Sequence, residues 1–107
     1  MERYNKLVRD KIPEILEKQG KRYIISKCPD DAPGAMLYES YLHTKIIEEL
    51  LEIKNHPTSE ECADMYEAML ALFHLYGYSL SKINDVATKK RQEKGGFMQK
   101  IILREVK

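Results

Sequence analysis

Two carboxylate pairs constrain this chain more than anything else in it. Glu49 and Glu52 stand on one side of the break Asn55-His56-Pro57-Thr58-Ser59, and Glu61 and Asp64 stand on the other. A spacing of three puts both members of a pair on one helix face. At about 100° per residue, Glu49 falls among Leu42, Ile46 and Ile53, while Glu61 and Asp64 share the stripe of Ala68, Leu72 and Leu75. All four therefore point toward the apolar side of their helices, which is costly unless something positive meets them. A five-residue break suits an antiparallel helical hairpin. Such a hairpin would bring the two pairs together, with a hard divalent cation as the natural partner of so many oxygens.

Each pair also has a plainer explanation. Thr58-x-x-Glu61 fits a capping box, in which Glu61 only satisfies an amide at its own helix start. Lys45 lies four residues before Glu49, the spacing of an ordinary intrahelical ion pair. What favours a metal is the combination, with two inward pairs on consecutive helices. His43, His56 and His74 complete no Glu-x-x-His motif, and each reads as a surface or packing residue. No His/Cys set suggests zinc, so the donors point to Mg²⁺, with Mn²⁺ as the substitute. Glu48 sits about 100° around the helix from Glu49, placed to orient a water, to touch a second metal or to remain in solvent.

The rest of the chain frames that hairpin. A first helix is expected over residues 7–19, with Gly20 as its stop, provided it truly starts near Pro13. Residues 23–28 are β-branched and short, a strand candidate, and 29–34 have loop chemistry. Long helices are expected over 35–54 and 59–76, then a fourth from a cap at Ser79 or Ser81 to residue 93. Residues 97–106 hold the apolar run Ile101-Ile102-Leu103, a second strand candidate. Pairing of 23–27 with 100–104 would give a small two-stranded ribbon leaning on the helices. The expected fold is mainly α, a bundle of about four helices in one domain over residues 1–107.

Charge narrows the partners. A formal net charge of +1, with 33% charged residues, gives no bias toward a nucleic-acid polymer or a membrane. No apolar run approaches a membrane span, and Met1 opens onto Glu2 and Arg3 rather than a signal peptide. Cys28 and Cys62 lack metal-type spacing and read as reduced thiols, so a cytoplasmic location is expected.

The run Lys45-Ile-Ile-Glu-Glu-Leu-Leu-Glu52, followed by Glu60-Glu-Cys-Ala-Asp64, resembles the EExxE…ExxD signature of the all-α nucleoside triphosphate pyrophosphohydrolases. Within them it is most similar to the MazG-like and phosphoribosyl-ATP pyrophosphohydrolase-like group. Asn5-Lys-Leu-Val-Arg-Asp-Lys-Ile-Pro13 and Lys94-Gly-Gly-Phe97 also look like segments of small stand-alone members, so the resemblance covers nearly the whole chain. It implies an Mg²⁺-dependent enzyme that cleaves a nucleotide between its α and β phosphates, releasing pyrophosphate and a monophosphate. It implies Glu49, Glu52, Glu61 and Asp64 as metal ligands, and with Glu48 as the catalytic set. Only eight residues separate Glu52 from Glu61, fewer than is usual in the group, which shortens the hairpin.

A triphosphate beside four carboxylates needs basic partners at its outer end. The candidates are Arg9 and Lys11 near the start and Lys89, Arg91 and Lys94 near the fourth helix's exit, set against the alternative of a solvated basic face. The resemblance further implies a homodimer or homotetramer. Ile47 and Leu51, opposite Glu49 on their helix, fit that implication, although cover by the fourth helix would account for them equally. The competing function is a non-catalytic helical module that oligomerises or holds a nucleotide without cleaving it.

Overall fold

Each helix in this chain begins where the sequence supplies a cap or tolerates a proline. The computed structural model describes residues 4–107 and is mainly helical, with four helices. The Met1-Glu2-Arg3 opening, read above as carrying no signal peptide, lies outside the described residues. α1 spans Ile12–Lys18, α2 Ala32–Asn55, α3 Ser59–Leu75 and α4 Leu80–Lys94.

α1 starts at Ile12 rather than at residue 7 because Pro13 can occupy only the first turn, where its missing amide has no intrahelical role. The same logic moves the start of α2 forward to Ala32. Pro33 fits the first turn, and the Asp31 carboxylate accepts a hydrogen bond from the Gly34 amide at 2.7 Å. Gly34 is buried there, with the Pro29 carbonyl against its Cα where any side chain would stand. Thr58 caps α3 by accepting from the Glu61 amide at 3.3 Å, and Ser79 rather than Ser81 caps α4 by accepting from Lys82. α3 ends on Gly77 at φ 84, where the Tyr78 amide donates to the Phe73 carbonyl and the Gly77 amide to His74. This pair of bonds closes the helix end and needs a left-handed residue.

α2 and α3 run antiparallel and form the one extensively packed helix pair among the described residues. Their register is marked at one end by a 3.1 Å hydrogen bond between His43 Nε2 and the Tyr76 hydroxyl, and at the other by the carboxylates. Hydrogen bonding to Glu39, with partial desolvation and that carboxylate's charge, raises the pKa of Tyr76. Between the two ends lies a thin core. Leu42 is 1% exposed, and Leu42 and Ala68 are the buried apolar side chains among the described residues.

The expected ribbon does not form. Among the described residues there is no strand, and segments 23–27 and 100–104 lie unpaired and irregular. Lys100 adopts a positive φ of 59, and its amide folds back onto the Phe97 carbonyl at 3.1 Å, which ends any extended run there. Both segments remain exposed, so neither has the packed face that an isolated pair of strands requires.

The shape is correspondingly open. The radius of gyration is 18.2 Å, where a compact chain of this length has roughly 13 Å. No helix among the described residues is long and apolar enough to cross a membrane.

Candidate metal centre

The turn between α2 and α3 delivers three of the four carboxylates to one place. One carboxylate oxygen each from Glu49, Glu61 and Asp64 lies within 4.8 Å of the other two. Glu49 comes from the second-last turn of α2, and Glu61 and Asp64 from the first two turns of α3. Glu49 is 7% exposed, the buried charged residue among those described. Its inward aim follows from the helical period, since it shares an azimuth with Leu42.

Two cations attend the cluster. Lys45 Nζ lies 3.4 Å from Glu49 Oε1 and 3.7 Å from Glu48 Oε2, so the intrahelical pair expected from sequence forms and extends to Glu48. Arg9 Nη2 donates to Asp64 Oδ1 at 2.7 Å. Arg9, proposed from sequence for phosphate, thus reaches the acidic cluster from a segment that precedes α1.

The capping-box explanation of Glu61 is half right. Thr58 Oγ1 accepts from the Glu61 amide, but the Thr58 amide donates to the His56 carbonyl at 2.8 Å rather than to a glutamate side chain. The Glu61 carboxylate is left for the cluster. Partial desolvation, then the charges of Glu52, Asp64 and Glu49, raise its pKa, while His56 acts in the opposite direction. Glu52 is exposed and stands outside the three-residue cluster, yet its charge acts on Glu61 more strongly than that of either partner.

The remaining candidates are dispersed. Lys11 is exposed at the N-cap position of α1. Lys89, Arg91 and Lys94 are exposed on α4 and form no ion pair among the described residues. His56, expected from sequence as a surface or packing residue, is exposed at the C-cap of α2 and acts on Glu61 from there.

Oxygen-only donors suit a hard cation, and no histidine or cysteine joins the three carboxylates. The three carboxylates therefore form a cluster that could hold a metal ion. No family model, curated protein or solved structure matches the chain.

Proposed function

We propose that the chain is a divalent-cation-dependent nucleotide pyrophosphohydrolase of the MazG-like kind. The observation that carries this reading is the convergence of Glu49, Glu61 and Asp64 within 4.8 Å across two helices. A binding module has no need to collect repelling carboxylates at one point, whereas phosphoryl chemistry on Mg²⁺ does. Glu49, Glu61 and Asp64 would hold the cation, with Glu52 joining them from its exposed position.

When bound, Mg²⁺ supplies neutralisation of phosphate charge and a water of lowered pKa. The chain's own groups do the rest. Glu48, steadied by Lys45, orients the attacking water and takes its proton. The water oxygen bonds to the α phosphorus as the bond from that phosphorus to the bridging oxygen breaks, and pyrophosphate leaves with that oxygen. Arg9, already beside Asp64, and Lys11 meet the phosphates from the N-terminal side, and Lys89, Arg91 and Lys94 offer a second basic set on α4.

The working form in this reading is a homodimer or homotetramer in the cytoplasm, in keeping with the free thiols of Cys28 and Cys62. Support for assembly comes from α2, whose outer face exposes Ile47 and Leu51 at 59% and 56%. α4 does not cover them. Sedimentation of wild type and of Ile47→Asp tests this, with a monomeric wild type at micromolar concentration overturning the assembled form.

Incubation with a nucleotide panel and Mg²⁺ tests the activity. Equimolar monophosphate and pyrophosphate are expected. Tight nucleotide binding without either product would favour the non-catalytic module, a reading supported by the large uncovered apolar surface.

A further inference from the structure

Two segments of this chain carry apolar side chains and open backbone but belong to no helix. In the link between α1 and α2, Tyr23, Ile24 and Ile25 are exposed, Ile24 fully at 100%. Beyond the turn at Lys100, Ile101, Ile102, Leu103 and Val106 are exposed to between 68% and 85%. Apart from the Lys21 amide, which closes α1, no backbone group of 21–28 or 101–107 is hydrogen-bonded to backbone among the described residues. Exposed, unpaired backbone flanked by branched apolar side chains is a template for strand addition.

We propose that these segments pair between two copies of the chain. Residues 22–26 of one copy run antiparallel to 101–105 of the other, and the exchange is reciprocal. One register satisfies the side chains. Setting Ile24 opposite Leu103 and Ile25 opposite Ile102 places Arg22 opposite Glu105 and Tyr23 opposite Arg104. Apolar, oppositely charged and cation–aromatic pairs then face one another across the ladder. A one-residue slip sets Arg22 against Arg104 in one direction and Ile24 against Arg104 in the other. The like-charged Lys27 and Lys100 fall just outside the ladder, because the left-handed backbone of Lys100 ends the run.

The area available requires a large partner. The chain exposes 10137 Å², roughly 4,000 Å² more than a compact protein of its 12.5 kDa mass, and obligate interfaces bury on the order of 2,000–5,000 Å². A second copy is the occupant because both halves of the ribbon, with complementary side chains, lie in one sequence. A two-fold dimer would hold two ribbons. A net charge of +1 sets little repulsion between copies. Each ribbon alone is marginal, so the inference rests on the assembled form proposed above, in which the outer face of α2 is buried as well.

Disulfide trapping tests it in the full chain with Cys28→Ser and Cys62→Ser. Ile25→Cys and Ile102→Cys are introduced together, isotope-labelled and unlabelled chains are mixed, and mild oxidation follows. A covalent dimer with labelled-to-unlabelled linkage between the two positions is expected. Linkage within one chain overturns the exchange. A dimer or tetramer by sedimentation with no linkage overturns it too, while leaving assembly through α2 standing; a monomer removes both. Should the cysteine variants fail to fold, charge exchange replaces them. Arg22→Glu and Glu105→Arg should each weaken dimerisation by at least about fivefold, and together restore it. Unchanged dimerisation in both single variants overturns the proposal.

Discussion

Arg9 and Asp64 are joined by a 2.7 Å hydrogen bond between segments 55 residues apart, and this contact ties the N-terminal stretch to the acidic end of the α2–α3 hairpin. Both side chains stay about half exposed, so the pair contributes at most about 1 kcal/mol to stability. Its importance is positional. It holds a guanidinium beside the carboxylates that would carry the metal.

Arg9→Ala should accordingly leave the fold intact and change catalysis instead. In the proposed activity, kcat/KM for the nucleotide falls at least about tenfold, or 1.4 kcal/mol. Steady-state pyrophosphate release together with a thermal melt checks both halves. Wild-type kinetics would place the phosphate contact elsewhere.

Glu52→Gln removes the charge that acts most strongly on Glu61. Turnover at saturating Mg²⁺ should be lost, while the metal-free protein melts at a higher temperature, because like-charge repulsion is relieved. Calorimetry without metal, beside an activity assay with it, separates the two effects.

The raised pKa of Glu61 gives a pH dependence of definite sign. In the folded chain Glu61 keeps its proton above the ordinary value of 4.5, while the unfolded chain releases it there. Across that window the native state binds more protons, so the metal-free protein loses stability as pH rises through the folded pKa. Affinity for Mn²⁺ should rise over the same window, since the cation requires the ionised carboxylate. Chemical denaturation at stepped pH, with Glu61→Gln as the control, should show the slope vanish in the variant.

Gly34→Ala should be among the most damaging single-methyl additions. The new Cβ would occupy the space of the Pro29 carbonyl, forcing apart the link that starts α2. A loss of about 1–3 kcal/mol is expected, measured by urea denaturation, whereas Gly96→Ala, in open space, should cost far less.

Leu42→Ala probes the thin core. Leu42 is the one fully buried large side chain among the described residues, and truncation should cost about 2–5 kcal/mol. A smaller loss would show that the hairpin collapses around the gap.

The hairpin was legible in the sequence because it is built from local rules. Helical period aimed Glu49, Glu61 and Asp64 inward, and the break at 55–59 turned the chain. Caps were also local, so Thr58 and Ser79 could be named as candidates before the structure. What escaped depends on contacts between distant parts of the chain. The pairing of Arg9 with Asp64 is one such contact, since two residues this far apart in sequence leave no periodic trace. Spacing and the family resemblance both group Glu52 with the cluster, yet it sits at the exposed rim, where α2 is about to end. The ribbon failed for a related reason. Branched residues at 23–25 and 101–103 announce a preference for extended backbone, but not where the complementary backbone comes from.

The scarcity of interior in this chain bears on how its sequence can drift. Where Leu42 and Ala68 are the buried apolar side chains among the described residues, few of those positions are protected by enclosure. Ile47, Leu51 and Ile102 lie on the outside of a single copy, where replacement by polar residues would ordinarily be tolerated. If copies assemble as proposed, those positions become interior, and natural variation should avoid them as strictly as it avoids Leu42. A saturation library scored for folded, assembled protein would then show intolerance tracing the outer side of α2 and the two unpaired segments.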